Sequence, residues 1–122
     1  MDKVFRGLAG LVGIFFVLSG LRWIVDPGGA ATGLGLPLLD GLARSTQIGD
    51  LGAFFFAGGT LVLLGVWKQK AEWYLAPALL VGTAAVFRIL ASLIQGAELA
   101  LLFIIIEAIM TAILLMAARA AK

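Results

Sequence analysis

Two ionisable residues interrupt the most apolar part of this 122-residue chain. Arg88 precedes a predicted hairpin tip at Gln95-Gly96-Ala97, and Glu107 follows it, each inside a hydrophobic run. On antiparallel helices rising about 1.5 Å per residue, Arg88 lies roughly 10 Å and Glu107 roughly 12 Å from the outer ends of their helices. Opposite charges at matched depths are predicted to pair, and ionisable residues inside a membrane are candidates for function. Arg88 and Glu107 are therefore candidates for a structural ion pair or for the polar anchor of a ligand.

Four further residues complete the candidate charge cluster: Arg22, Asp26, Asp50 and Ser92. Ser92 shares a helix face with Arg88, and Asp50 is predicted in the first turn of its helix, where the helix dipole favours a carboxylate. Asp50 and Glu107 are the only acid–base pair that the pattern suggests. The chain has no histidine and no cysteine, and it contains no nucleophile or phosphate-binding motif. We therefore predict no enzyme activity, no metal site and no cofactor.

The composition predicts a protein that lies in lipid. Hydrophobic residues make up 62% of the chain and charged residues only 13%, against about 45–50% and about 25% in soluble domains. Such a small chain cannot bury that much apolar surface in water. The net charge of +2 comes from cations scattered near segment ends, which indicates membrane topology rather than nucleic-acid binding.

Four helices are predicted to cross the membrane, at about residues 4–25, 47–67, 73–95 and 98–118. Each has roughly 20 residues, enough for a hydrocarbon layer of about 30 Å. The fold class is an all-α integral membrane protein, an antiparallel four-transmembrane-helix bundle that forms one domain over 1–122. A short interfacial helix is predicted between the first two spans, from about Pro37 to Arg44.

Small and polar residues predict the faces on which the helices pack. Gly49, Ala53 and Ala57 are spaced as a small-residue ridge on the second span. A Gly-x-x-Gly-x-Phe-Phe pattern begins at Gly10 and again at Gly49, and the biased composition makes chance the better explanation. The predicted contact face of the last span comprises Ala100, Phe103, Ile104, Glu107, Met110 and Thr111.

The distribution of cations predicts the orientation of the bundle. Six cations fall on the side that holds both termini and the central loop: Lys3, Arg6, Lys68, Lys70, Arg119 and Lys122. The opposite side has only Arg22 and Arg44. Because positive charge is enriched in cytoplasmic loops, both termini are predicted to face the cytoplasm. The charge cluster then lies in the outer half of the bundle.

Two functions are compatible with this pattern. The leading prediction is an accessory or assembly subunit of a larger inner-membrane complex, whose partners are the lipid bilayer and other membrane subunits or further copies. The alternative is a binding protein or transporter with an outward-facing pocket for a small amphiphilic, quinone-like or anionic ligand, anchored by Arg88. A transporter needs a polar path through both halves of the membrane, and the ionisable residues gather in one half.

Several motifs resemble those of known small membrane proteins. Phe5-Arg6-x-x-x-Gly10 and Ser19-Gly20-Leu21-Arg22-Trp23-x-x-Asp26-Pro27 resemble the opening of DoxX-like four-helix membrane proteins. The whole chain, including Arg44-Ser45-x-x-x-Gly49-Asp50, Phe87-Arg88-x-Leu90 and Glu107, is similar to a group of small bacterial membrane proteins known as a domain of unknown function.

This resemblance implies four helices in a bacterial inner membrane. DoxX-like proteins are linked to membrane redox or thiol-stress complexes, which favours the subunit interpretation. A chain without cysteine or histidine carries no thiol chemistry and no histidine haem ligand. The resemblance implies no catalytic residue.

Overall fold

The computed structural model describes residues 2–121 and consists of five helices in that range. They are α1 (Asp2–Val25), α2 (Pro27–Gly33), α3 (Gly41–Lys68), α4 (Ala71–Gln95) and α5 (Leu101–Ala121). Four of them, all but α2, are long and apolar enough to cross a membrane. Lys122, one of the six cations that predict the orientation, lies outside the described residues.

The four long helices form a ring in which α1 packs on α3, α3 on α4, α4 on α5, and α5 on α1. The pairing is antiparallel, because Gly13 of α1 faces Val62 of α3 while Gly20 faces Phe56. Across α4 and α5, Gly82 likewise faces Thr111. The ring encloses a core on its axis and leaves the outer helix faces apolar and exposed.

Glycines bring α1 and α3 into backbone contact. A Cβ added at Gly20 would lie 2.6 Å from the Phe56 amide nitrogen, and one at Gly59 would lie 2.7 Å from the Gly13 carbonyl oxygen. The predicted ridge of Gly49, Ala53 and Ala57 is wrong, since all three are exposed. The contact face of α3 is rotated around the helix relative to this ridge and includes Gly52, Gly58 and Gly59, all buried.

The predicted helix from Pro37 to Arg44 is also wrong. Residues 35–40 are non-helical, and residues 41–44 are the first turn of α3, which starts six residues before the predicted 47. The side-chain amide of Gln47 holds the bend, since it accepts from Leu39 N at 2.9 Å and donates to Pro37 O at 3.0 Å. Asp50 is therefore well inside α3 rather than in its first turn.

The short helix lies earlier, at Pro27–Gly33. Pro27 occupies its first position, where a missing amide hydrogen costs little, and Asp26 caps it by accepting from Gly29 N at 3.1 Å. The Asp-Pro-Gly-Gly sequence thus ends α1 and starts α2. Proline and glycines usually indicate a turn, so this helix was not predicted from the sequence. One capping residue and one proline at the first position are enough to start it.

The buried residues of the bundle form two separate clusters. The larger one lies toward the α3–α4 connection and includes Val62, Tyr74, Val81 and Leu114, each at most 1% exposed. The smaller one surrounds Trp23, which is 1% exposed, beneath α2. Three charged residues, Arg22, Arg88 and Glu107, line a space that is bordered by Phe16 of the larger cluster and by Trp23 of the smaller one.

Candidate ligand-binding site

Arg88 of α4 and Glu107 of α5 contact each other across the hairpin. Arg88 Nε lies 2.9 Å from Glu107 Oε1 and 3.2 Å from Oε2. The side chains are 31% and 13% exposed, so the pair is partly buried. The guanidinium also lies over the Phe103 ring, with Cζ 4.7 Å from the ring centroid. Phe103 is one turn before Glu107 on the same face, so carboxylate and ring together hold the guanidinium.

Glycine and threonine set the spacing of these two helices. A Cβ added at Gly82 would lie 3.3 Å from Thr111 Cγ2, so α4 comes close to α5 at this level. Thr111 Oγ1 donates to the Glu107 carbonyl oxygen at 2.7 Å, which satisfies the hydroxyl within α5. The predicted contact face of α5 is confirmed, because all six of its members are partly buried whereas Leu101, Leu102, Ile105 and Ile106 are exposed.

Glu107 engages only the Nε side of the guanidinium. Within residues 2–121, the two terminal nitrogens of Arg88 have no hydrogen-bond acceptor. No side-chain nitrogen or oxygen in that range is both fully buried and without a partner. The terminal nitrogens are therefore accessible, and Arg88 lines an open space between the helices.

That space is a cavity of about 230 Å³ on the bundle axis. All five helices contribute to its lining, which is mostly aromatic and aliphatic. The polar lining residues are Ser19, Arg22, Arg88 and Glu107. Its volume lies between the roughly 150 Å³ cavity that holds benzene in an engineered protein and the lower end of ordinary ligand pockets, about 300 Å³. The cavity is large enough for a ring-sized molecule.

Six aromatic side chains form much of the wall: Phe15, Phe16, Trp23, Phe54, Phe55 and Phe103. Phe16 of α1 lies 5.1 Å from Phe55 and 6.0 Å from Phe54, measured between ring centroids. These are the paired phenylalanines of the repeated Gly-x-x-Gly-x-Phe-Phe pattern. The repeat was the one sequence signal for this wall, because antiparallel packing of α1 on α3 brings the phenylalanine ends of the two copies together, while Gly10 lies near Val66 and Gly52 near Trp23.

Arg22 lies at the end of α1, where it lines the cavity and contacts α2. Its Nη2 is 3.5 Å from Asp26 Oδ2, with both side chains more than half exposed. Such an exposed pair contributes little to stability. A Cβ at Gly29 would collide with both side chains, so the glycine allows Arg22 and Asp26 to lie against α2.

The structure thus gathers Arg22, Arg88 and Glu107 around one cavity, with Asp26 joined through Arg22. Asp50 and Ser92 do not line it. Asp50 is exposed on α3 and forms no ion pair with the part of the chain described here. Asp50 and Glu107 are consequently not arranged as an acid–base pair. Ser19, Trp23 and Phe103 are lining residues that the sequence did not single out as site residues.

Comparison with protein-family models, with curated proteins and with solved structures finds no match to this chain. The resemblance to DoxX-like proteins therefore stays a prediction from the motifs, and the functional argument rests on the geometry of the cavity.

Proposed function

We propose that this chain is a membrane-embedded binding protein that holds a small amphiphilic or anionic molecule in the cavity beside Arg88. The observation that carries the proposal is the lining itself. Two guanidinium groups and one carboxylate meet an aromatic wall in a space of about 230 Å³. A mostly apolar pocket with a few convergent polar groups is the usual form of a small-molecule site.

The membrane placement that we propose is a bacterial inner membrane with both termini in the cytoplasm. Four apolar helices of sufficient length support it, as does the excess of cations at one end. On this placement Arg88 lies roughly 10 Å below the outer end of α4 and roughly 25 Å from its inner end. The cavity then lies in the outer half, with α2 at the outer interface.

The packing supports binding rather than passage through the membrane. Val62, Tyr74 and Leu114 fill the bundle axis on the cytoplasmic side of the cavity, each with no exposed surface. No charged residue lines the cavity on that side. A transporter would need a polar route there, whereas a binding protein needs only the outer cavity.

A retained small molecule tests the proposal. We expect native mass spectrometry of the protein, purified from membranes in mild detergent, to show one low-mass adduct. Replacing Arg88 by methionine should remove it, because the anchor is lost while the side-chain volume is largely kept. The matched control is Arg44→Gln, which removes an exposed cation on the same predicted side and outside the cavity.

The proposal fails if the wild-type protein carries no adduct, or if Arg88→Met retains the adduct as well as Arg44→Gln does. Stoichiometric co-purification of other membrane proteins with an empty cavity would instead support the accessory subunit. That second proposal has its own support, since a surface groove between α4 and α5 combines the small residues Ala78, Gly82, Thr83 and Thr111 with five larger apolar side chains. Small residues of this kind allow close approach of another membrane helix.

A further inference from the structure

We infer that the cavity binds a monoanionic aromatic carboxylate, held at the terminal nitrogens of Arg88 with its ring against the phenylalanine wall. The inference rests on the proposed function and assigns the chemical class of its ligand. Three observations carry it: the unused donors of Arg88, the charge of the lining, and the shape and chemistry of the wall.

The unused donors point to a planar acceptor. Glu107 accepts from Nε of Arg88 at 2.9 and 3.2 Å, and within residues 2–121 neither terminal nitrogen of the guanidinium has a hydrogen-bond acceptor. Two parallel N–H groups match the two oxygens of a carboxylate, which is the geometry of bidentate arginine recognition. The Arg88 side chain is only 31% exposed, so an acceptor at these donors gains more than it would at a fully exposed surface.

The charge of the lining sets the charge of the ligand. Arg22 and Arg88 contribute two positive charges and Glu107 one negative charge, which leaves one positive charge at the cavity. Asp26 is 60% exposed, lies 3.5 Å from Arg22 and does not line the cavity, so it cancels this charge only in part. Less than one positive charge therefore remains, so a monoanion comes closer to neutrality than a dianion, which leaves a larger negative excess in an apolar environment.

The wall favours a ring over a flexible chain. Phe16, Phe54 and Phe55 lie with their ring centroids 5.1–6.0 Å apart in tilted and edge-to-face arrangements. Aromatic faces and edges make oriented contacts with another ring. A flat ring also loses little conformational entropy on binding, whereas an alkyl chain loses rotational freedom at each bond. The volume of about 230 Å³ is enough for a ring with a small head group.

Isothermal titration of the full chain in detergent tests the class directly. The probes are 1-naphthoate and benzoate, with 1-naphthamide as the neutral isostere, octanoate as the flexible monoanion and phenyl phosphate as the more highly charged aromatic anion. We expect 1-naphthoate to bind at least tenfold more tightly than the amide, octanoate or phenyl phosphate. Each probe also partitions into the detergent micelles. This contribution is the same for the wild type and the variants, so the difference between their titrations with one probe reports binding to the protein.

The variants separate charge from geometry. Arg88→Lys keeps the positive charge but lacks the paired donors, so we expect at least a tenfold loss of 1-naphthoate affinity and little change for the amide. Arg22→Gln should weaken all anionic probes and leave the amide unchanged. Arg44→Gln should bind every probe like the wild type. Arg88→Lys retains a cation for Glu107, so it is the variant that keeps the folded bundle.

The outcomes distinguish this inference from the function on which it rests. If octanoate, phenyl phosphate or 1-naphthamide binds as tightly as 1-naphthoate in an Arg88-dependent way, the proposed ligand class is wrong. The proposed function as a binding protein is then still supported. An adduct that native mass spectrometry identifies as a diacyl phospholipid would also overturn the class. If no probe binds and no adduct is retained, both the class and the proposed function are overturned.

Discussion

Arg88 and Glu107 show how a charge in an apolar segment constrains its partner. Each alone would be costly to leave unpaired in hydrocarbon, about 2.5–3.5 kcal/mol at a helix centre on insertion scales. Placed at similar distances from a hairpin tip, they meet at 2.9 Å. The pair is better evidence for one arrangement of α4 and α5 than for high stability, since desolvation offsets much of the attraction.

A double-mutant cycle measures this pairing. We expect Arg88→Met and Glu107→Met each to lower the free energy of unfolding by about 2–3 kcal/mol, because each leaves the partner charge unpaired. The double variant should lose less than the sum by at least about 1 kcal/mol. Unfolding of the four proteins in mixed detergent micelles gives the coupling energy.

The exposed pair of Arg44 and Asp40 is the control for that cycle. Its atoms are 3.0 Å apart but its side chains are 46% and 95% exposed, so its coupling should stay below about 0.5 kcal/mol. Additive losses at Arg88 and Glu107, like those expected for the control, would show that the two side chains do not stabilise each other.

At the scale of the helices, backbone contact between α1 and α3 decides where the aromatic wall forms. Gly20 and Gly59 lie where the two backbones touch, and Phe16 of α1 reaches Phe55 of α3 between these contacts. Glycine is required at both positions because the nearest atoms include backbone atoms, which cannot rotate away.

Gly20→Ala and Gly59→Ala should both destabilise the bundle. Overpacking typically costs about 1–3 kcal/mol, which exceeds the gain of about 1 kcal/mol from the higher helix propensity of alanine. Thermal unfolding in detergent should therefore show a lower midpoint for each variant. Loss of the wall should accompany it, seen as weaker binding of an aromatic probe.

Two glycines on the same helices serve as controls. An added Cβ at Gly7 or at Gly49 meets no atom within 4 Å, so Gly7→Ala and Gly49→Ala should leave the unfolding midpoint unchanged or raise it. If Gly20→Ala were as stable as Gly49→Ala, the close packing of α1 on α3 would be wrong.

At the scale of the whole molecule, the orientation that we propose can be tested at the two connections that flank α4. The α3–α4 connection is only Gln69 and Lys70, while the α4–α5 connection spans residues 96–100 and contains Glu98. Because α4 crosses from one to the other, these two connections lie at opposite ends of the bundle. Their accessibility therefore reports the orientation and the position of the cavity.

Single cysteines test the orientation without background, since the chain has none of its own. We expect Glu98→Cys to react with a membrane-impermeant maleimide in spheroplasts, and Lys70→Cys to react only after lysis. This follows from the excess of cations at the end that holds Lys70. The reverse pattern would place the cavity at the cytoplasmic side.

The sequence by itself determined the class of fold and the partners of its central charges. Four apolar runs predict four spanning helices because only lipid can solvate so much apolar surface. The partly buried face around Glu107 was also predicted, whereas Leu114, Ala117 and Ala118, the fully buried residues of α5, were not. The Arg88–Glu107 contact needed only helix rise and distance from the tip, which are local quantities.

Only the tertiary structure decided which glycines are contacts, where the short helix lies and that a cavity exists. Gly49 and Gly52 look alike in the sequence, yet only Gly52 is buried, because helix rotation about its axis depends on neighbours far along the chain. Asp50 was excluded from the site and Ser19 included for the same reason. A cavity is the space that packing leaves between all five helices, so no single segment encodes it.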